Sequence, residues 1–426
     1  MMKPTRLHLV VGALLATLGY SHVQAAAFNL NEHSASGLGR AFAGEAAIAD
    51  NASVLARNPA AMSRFTSTSI SFAGTYVRPN IDLKGRDNLS VGSLTLPKSY
   101  LDADNIAPSA VIPAGYLIQP LNDKWAFGLA LFTNYGLATE FDKSYAGGML
   151  GGDTDLTTMN INPNISWRLN DQWSFGAGLN AIYADAKLVR RAGALSYVNT
   201  ALSSTTEMAN LSGKTWGFGW NVGALYELNA NNRFGLAYRS QSTLSFDGDF
   251  SGYSSGFNKV NGKLDLELPA IAEFSGYHKL NQSFAVHYSV QWTDWSVFKT
   301  LKATGSGCSG GVCFQKDQEF SDSWRYAIGG TWYANDAWTL RAGLALDKQA
   351  AHNVISIPDT ERMWYTLGAS YQLTRQLGLD AGVAYLQGKD VNIDEPLTIP
   401  GMGSVTVPYT STASAWLFST QLNYTF

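Results

Sequence analysis

The feature that most constrains the fold is an alternation of large apolar side chains with small or polar ones, which recurs in segments of ten or more residues after Phe65. Residues 124–135 place the large side chains on one face and the small ones on the other: Trp125, Phe127, Leu129 and Leu131 against Ala126, Gly128 and Ala130. Residues 173–180 and 338–346 repeat the scheme. Because successive side chains of a strand point to opposite faces, the pattern predicts an all-β transmembrane barrel with large residues toward lipid and small ones toward the lumen.

The connections between these segments alternate between short turns and long polar stretches. Three of the short turns end in a tryptophan suited to a membrane interface, and most contain Asn or Asp. The six turns are 121–125, 169–173, 228–233, 279–283, 334–338 and 372–376, and the seven long stretches are 80–109, 137–153, 191–213, 252–261, 300–317, 349–359 and 389–410. These connections predict an antiparallel barrel of about 14 strands, in which residues 414–426 pair with 68–79 to remove the exposed edges.

The N-terminus has the pattern of a secretory signal peptide. Lys3 and Arg6 precede a largely apolar stretch, and Val23-Gln24-Ala25 resembles a small-residue cleavage site, so residues 1–25 are predicted to be removed. No later segment approaches the roughly 18 uninterrupted apolar residues of a membrane-spanning helix. An exported chain whose membrane spans are strands is expected in the bacterial outer membrane.

Composition and motifs exclude several classes of function. Charged residues are 15% of the chain and the formal net charge is -3, so there is no basic field for nucleic acid. The six histidines are scattered and no nucleophile elbow of the Gly-x-Ser-x-Gly type is expected, so neither catalytic residues nor enzymatic activity is expected. Gly37, Gly39 and Gly44 lack the strand and the acidic partner of a nucleotide fingerprint, so no cofactor is expected.

Cys308 and Cys313 are the only cysteines. An exported protein meets oxidising conditions, so we expect a small disulfide at a loop tip. Two cysteines without a nearby histidine make a poor zinc site, and no metal is expected.

Residues 26–67 do not fit the strand pattern and are rich in Ala, Gly, Ser and Asn. A barrel of about fourteen strands encloses a lumen too wide for its own side chains to fill. We interpret the segment as an N-terminal hatch, or plug, inside a barrel of residues 68–426. A disordered periplasmic tail is the alternative.

Several motifs of the mature chain resemble those of the FadL family of long-chain fatty acid transporters. They include Ala27-Phe28-Asn29-Leu30, Ser36-Gly37-Leu38-Gly39-Arg40, Arg57-Asn58-Pro59-Ala60, Thr133-Asn134-Tyr135-Gly136 and Ile355-Ser356-Ile357-Pro358. The resemblance covers essentially the whole mature chain. It implies a fourteen-strand barrel with a hatch, and a route from an apolar groove among extracellular loops to an internal site and then sideways through the barrel wall.

The resemblance also implies roles for particular residues. The lateral opening would arise at a strand kink at Asn134, Tyr135 and Gly136, where Asn and Gly tolerate a broken ladder, although the residues alone also fit the start of a loop. Asn58, Pro59 and Ala60 would be the gating part of the hatch, although by themselves they are typical of a turn.

Arg190 and Lys316 match the family's head-group contacts, and Phe28 matches a hatch residue that touches the ligand. A fatty acid carries a carboxylate, which a cation near an apolar channel attracts strongly. The alternative for both cations is neutralisation of lipopolysaccharide phosphates at the outer surface.

Two rival functions remain open. A general diffusion porin would line a water-filled constriction with rings of charge, which the hatch argues against. A channel for monoaromatic hydrocarbons is the closer rival, because a neutral arene needs no cation. The expected partners are a long-chain fatty acid or another hydrophobic small molecule, outer-membrane lipid and lipopolysaccharide, with no nucleic acid; we expect a monomer and passive, ligand-gated diffusion.

Overall fold

The computed structural model describes residues 28–91, 94–351, 354–399 and 403–426. These residues form 22 strands: β1 (Ser69–Gly85), β2 (Leu89–Val91), β3 (Leu94–Leu96), β4 (Ala110–Pro120), β5 (Trp125–Phe132), β6 (Gly136–Thr139), β7 (Gly152–Arg168), β8 (Trp173–Arg191), β9 (Glu207–Asn229), β10 (Asn232–Arg239), β11 (Ser242–Gly252), β12 (Val260–Leu268), β13 (Ile271–Lys279), β14 (Phe284–Thr293), β15 (Thr300–Thr304), β16 (Val312–Asp317), β17 (Ser323–Tyr333), β18 (Trp338–Asp347), β19 (Arg362–Gln372), β20 (Leu377–Gly388), β21 (Val391–Ile399) and β22 (Gly403–Thr425).

The helices are short. The described residues contain one α-helix, α1 (Ala35–Leu38), and 3-10 helices at Ala52–Ala56, Pro59–Arg64, Lys98–Leu101, Gly193–Tyr197, Tyr253–Ser255, Trp295–Val297 and Ser309–Gly311. None of the helices in these ranges is long and apolar enough to cross a membrane. The predicted signal peptide, residues 1–25, lies outside the described residues.

The strands close into one antiparallel barrel of 14 strands, which confirms the predicted fold class. Five wall strands are interrupted near the loop end, so each is made of two segments: β5 with β6, β10 with β11, β12 with β13, β14 with β15 and β16 with β17. The last wall strand but one, β20, likewise continues into β21. β1 and β22 pair from Ser69↔Thr425 to Gly85↔Tyr409 and close the ring as predicted.

The alternation of side chains has the predicted direction. Trp125, Trp173 and Trp338, each at the start of a strand after a short turn, are 40%, 40% and 45% exposed on the outer surface. The small residues that alternate with the large ones along each strand face the interior. Gly128, for example, lies against Met62 of the N-terminal segment. The wall therefore presents its apolar face outward.

All six predicted short turns are present, and the long connections at 252–261 and 349–359 lie close to their predicted bounds, but the bounds of other long connections were wrong. β9 already begins at Glu207 and β22 at Gly403, although residues 191–213 and 389–410 were predicted as loops. The prediction took polarity as a sign of a loop. Strands that extend beyond a membrane can remain hydrogen-bonded in hairpins while carrying polar side chains.

Residues 28–64 fill the barrel interior. Nearly all are buried, and they approach the wall where an inward-facing glycine leaves room. A Cβ on Gly39 would lie 2.7 Å from Cα of Gly368 in β19, and one on Gly235 in β10 would overlap the carbonyl oxygen of Ala46. Only a wall position without a side chain permits such a backbone approach.

Polar contacts also hold this segment. Arg57 pairs with Glu273 of β13 at 3.3 Å, and Arg40 pairs with Glu45 at 2.7 Å and with Asp50 at 2.9 Å. Buried charges of this kind are stable only when they are paired. Residues 28–64 are therefore folded inside the barrel and are not a tail outside it.

Candidate functional site

Arg190 and Lys316 line one cavity of about 320 Å³ at the loop end of the barrel. We call it the loop cavity. Arg190 is at the end of β8, and Lys316 is in β16, one arm of the hairpin formed with β15. Apolar side chains make up much of the remaining lining: Met149, Leu150, Met208, Phe314, Pro396 and Leu397.

Arg190 is a buried cation without a carboxylate partner in the described part of the chain. Its side chain is 2% exposed, and its Nη1 atom donates to the carbonyl oxygens of Val189 at 2.9 Å and Asp153 at 3.2 Å. Nη2 donates to Oγ1 of Thr154 at 3.2 Å, while Nε has no hydrogen-bond partner. An unpaired buried charge costs several kcal/mol, so this arrangement favours an anion in the cavity.

Lys316 has a partner that the sequence did not indicate. Its ammonium forms an ion pair with Glu395 of β21, whose side chain is 2% exposed. Burial lowers the pKa of Lys316, and the Glu395 carboxylate opposes that shift. The loop cavity therefore contains two cations and one neighbouring carboxylate, all with little access to water.

Phe28 lines a second cavity, of about 90 Å³, which we call the inner cavity. Its lining is almost entirely apolar and includes Leu137, Leu156, Leu188, Leu211, Phe246 and Leu264. Ligand pockets usually have volumes of about 300–1,000 Å³. A long alkyl chain would enter this space only if side chains moved.

Aromatic rings surround Phe28 where it lines the inner cavity. The Phe28 ring lies 4.5 Å from Trp295, 5.5 Å from Phe298 and 6.2 Å from Tyr135, between ring centroids. Trp295 and Phe298 come from the 3-10 turn between β14 and β15. The buried Nε1 of Trp295 has no hydrogen-bond partner.

The two cavities are adjacent along the same strands. β8 contributes Leu188 to the inner cavity and Arg190 to the loop cavity, and β9 contributes Leu211 and Ala209 in the same way. Residues two apart on a strand face the same side, about 7 Å apart. A molecule with an anionic head and an apolar tail therefore has complementary surroundings for both parts.

Asn134, Tyr135 and Gly136 lie at a break in the wall. The strand stops at Phe132, resumes at Gly136, and gains one residue relative to its partner β7 across the break. On the other side β4 pairs with β5 only between Gly115 and Pro120, so residues 110–114 of β4 have no partner in β5 or β6. The wall is therefore unpaired beside these residues.

Residues 28–30 occupy part of this break. Asn29 forms an isolated antiparallel bridge with Tyr135. The amide of Leu30 donates to the carbonyl oxygen of Asn134 at 2.7 Å, and the amide of Gly136 donates to that of Phe28 at 2.9 Å. The inner cavity and the wall break thus share the backbone next to Phe28.

Asn58, Pro59 and Ala60 line neither the loop cavity nor the inner cavity. The Asn58 side chain caps the 3-10 helix Pro59–Arg64 and donates to the carbonyl oxygens of Ala46 at 2.7 Å and Ala224 at 3.0 Å. These residues contact the wall at Gly176 and Gly223. The structure does not bring them to the ligand-facing residues.

Cys308 and Cys313 form a disulfide at the tip of the β15–β16 hairpin. Cys313 lines the loop cavity, and its carbonyl oxygen accepts a hydrogen bond from Oγ of Ser254 at 2.7 Å. Within the described ranges, no three or more His, Cys, Asp or Glu side chains are grouped so that they could hold a metal ion.

The spacing Gly-x-Ser-x-Gly does occur in the chain, at residues 252–256 and 307–311, which corrects our expectation that it is absent. Ser254 and Ser309 lie in short 3-10 turns among the extracellular strands. Neither follows the strand, sharp turn and helix of a nucleophile elbow. Ser254 uses its hydroxyl for the bond to the Cys313 carbonyl.

Sequence reasoning missed Glu395, Trp295 and Phe298. Trp295 and Phe298 could have been noticed only weakly from the sequence. They are three residues apart, which breaks the two-residue alternation of the strands on either side. Glu395 had none, since it is 79 residues from Lys316 and lies in a stretch predicted as a loop.

A closed antiparallel barrel with an apolar outer surface, a filled lumen and an amphiphile-shaped pair of cavities defines an outer-membrane channel for hydrophobic molecules. The model of the outer membrane protein transport protein family (OMPP1/FadL/TodX) matches residues 16–426. The chain belongs to this family of outer-membrane transporters, and its predicted location in the outer membrane is confirmed.

Named relatives and solved structures agree with this assignment. The "Long-chain fatty acid transport protein" of Escherichia coli O157:H7 is 40% identical over 98% of this chain and 97% of its own length. A Pseudomonas aeruginosa FadL homologue has a similar fold, with a TM-score of 0.82 at 23% identity over 93% of this chain and 99% of its own. The Pseudomonas putida toluene transporter TodX has a TM-score of 0.68 at 17% identity, over 93% and 99%.

Proposed function

We propose that the protein carries long-chain fatty acids across the outer membrane by ligand-gated passive diffusion. The observation that carries the proposal is the buried guanidinium of Arg190, which has no ion pair in the described residues and faces a cavity shared with Lys316. A carboxylate head would neutralise that charge, and the tail would extend toward Phe28 in the inner cavity. The name of the Escherichia coli relative supports the same substrate class.

We further propose that the ligand leaves sideways between β4 and β6. A chain that fills the inner cavity must displace Phe28, whose carbonyl oxygen holds the amide of Gly136. Displacement would loosen the bridge between Asn29 and Tyr135 and widen the unpaired part of the wall. Asn58, Pro59 and Ala60 would act in this scheme only as a fixed anchor of residues 26–67, which serve as the hatch.

The ligand is not altered in this scheme, and we infer that the protein is not an enzyme, because its family is one of transporters. We also propose that the barrel works as a monomer, with outer-membrane lipid around its apolar surface and lipopolysaccharide at its loop end.

The test is binding of labelled oleate to detergent-purified protein, with the heat-modifiable gel shift as the criterion of a folded barrel. We expect saturable binding that Arg190→Ala/Lys316→Ala weakens about tenfold, a loss of about 1.4 kcal/mol. Lys302→Ala is the matched control, because Lys302 is exposed on the same hairpin. The bound oleate should be recovered chemically unchanged, and light scattering should give the mass of one chain.

A channel for monoaromatic hydrocarbons is the second candidate, favoured by the almost wholly apolar inner cavity and by the likeness of fold to a toluene transporter. Toluene is therefore added as a competitor. A folded barrel that binds toluene but no oleate would contradict fatty acid transport and support this candidate.

A further inference from the structure

Glu395 lies beside both cations of the loop cavity without filling it. One carboxylate oxygen pairs with Lys316, and the other accepts a hydrogen bond from the amide of Ile355 at 2.8 Å. Arg190, in the same cavity, has no carboxylate partner among the described residues. Glu395 therefore neutralises one of the two cations and leaves the other unneutralised.

The arginine that follows Arg190 is already paired. Arg191 pairs with Asp153 at 2.8 Å, so these two side chains add no net charge. Among the described residues that line the cavity, Arg190 and Lys316 are the only Lys, Arg, Asp or Glu side chains. The cavity together with Glu395 thus carries one net positive charge in a poorly hydrated place, which one bound negative charge would cancel.

We propose that Glu395 sets the charge selectivity of the internal site, so that the site accepts a singly charged anionic head group and disfavours a doubly charged one. The inference rests on the proposed binding of an anionic amphiphile at Arg190 and Lys316. By competing for Lys316, Glu395 also weakens ligand binding.

Glu395→Gln separates charge from shape. The amide oxygen of glutamine can still accept the hydrogen bond from Ile355, and the segment that contributes Ile357 to the inner cavity keeps its anchor. The negative charge is lost, so the net charge of the empty site rises from one to two.

The experiment compares dodecyl sulfonate, which carries one negative charge, with dodecyl phosphate at pH 8, which carries two because its second pKa is near 6. The wild type should bind the sulfonate at least about tenfold more tightly. Glu395→Gln should bind both more tightly and should prefer the phosphate. Glu361→Gln is the matched control, since Glu361 is also paired with a lysine, Lys348, but at an exposed site, and it should behave as the wild type.

The wild-type comparison tests the charge count without any variant. Equal binding of the two head groups by the wild type, or an unchanged preference in folded Glu395→Gln while oleate still binds, would overturn the role of Glu395 and leave fatty acid binding intact. Failure of the wild type to bind any anionic amphiphile would instead remove the proposed function and this inference together.

Discussion

Two neighbouring arginines show how strongly a single residue's surroundings determine its role. The register of β8 against β9 shifts between Arg190 and Arg191, and both side chains are buried. Arg191 pairs with Asp153, whereas Arg190 has only neutral acceptors and an unpartnered Nε. The same residue type is thus structural at one position and suited to a ligand at the next.

We expect Lys316 to make the proposed ligand binding depend on pH. Burial lowers its pKa, while Arg190 and Glu395 are the charged groups that face it. The ammonium is lost as pH rises through the lowered pKa, so we expect affinity for dodecyl sulfonate to fall at a pH below that at which a free lysine titrates. Lys316→Arg should abolish this decline, because a guanidinium stays charged.

Unfolding cannot account for the expected decline. Between the lowered pKa of the folded state and the ordinary pKa of the unfolded state, the unfolded chain binds more protons, so this group makes the folded state more stable as pH rises. Binding titrations from pH 7 to 10.5 with a parallel thermal melt check both directions. A decline that persists in Lys316→Arg would contradict the assignment.

Among the elements of the fold, residues 28–30 form a short bridge with the interrupted wall strand. The backbone of residues 28–30 pairs with that of residues 134–136. At this point the wall strand is no longer hydrogen-bonded to β4. A strand edge that remains unpaired in lipid is unfavourable. Residues 28–30 therefore cover part of the strand edge that the interruption leaves.

A cross-link should separate binding from transport. Directly opposite residues of an antiparallel bridge have Cα atoms about 4.5–5.5 Å apart, within the range that a disulfide spans. We expect Asn29→Cys/Tyr135→Cys to retain binding of the head group at Arg190 and Lys316 but to block oleate uptake by cells that depend on this protein, because Phe28 cannot be displaced while the bridge stays closed. Reduction should restore uptake.

The control for this cross-link is Leu83→Cys/Ala103→Cys, which joins another isolated bridge, among the extracellular residues. The reductant also cleaves the native Cys308–Cys313 disulfide, so the wild type is measured under the same reducing conditions to show the effect of that cleavage alone. Uptake that continues through the oxidised Asn29–Tyr135 cross-link would show that the ligand does not need this bridge to open.

The whole molecule is a barrel whose lumen is too wide for the side chains of its wall to fill. Residues 28–64 fill it by packing their backbone against inward glycines and by forming ion pairs with the wall, Arg57 with Glu273 and Asp50 with Arg341. Because these contacts are spread around the ring, we expect a ligand to cause a local change beside Phe28 without removing the whole segment.

Gly235→Val tests whether this packing seals the barrel. A Cβ at Gly235 would overlap the carbonyl oxygen of Ala46, so we expect the plug to shift while the barrel still folds, with a rise in ion conductance across planar bilayers. Gly74→Val is the control, since nothing lies within 4 Å of a Cβ there. Equal conductance of both variants and the wild type would mean that the packing at Gly235 is not needed for the seal.

The sequence by itself determined the barrel, the strand number and the short turns, because lipid enforces a period-two pattern that can be read locally. It also indicated the residues of the wall break, Arg190, Lys316 and Phe28, through the family resemblance. Strand ends near the loops could not be predicted, since polar residues above a membrane fit strands and loops equally well.

Only the tertiary structure decided which charges meet. Glu395 reaches Lys316 from 79 residues away, and Phe28 joins Trp295 and Phe298 across the lumen. It also placed Asn58, Pro59 and Ala60 against the wall and away from both cavities. The physical reason is that closing a barrel brings together side chains from strands far apart in sequence, and no local pattern encodes the pairing of a buried charge with its counterion.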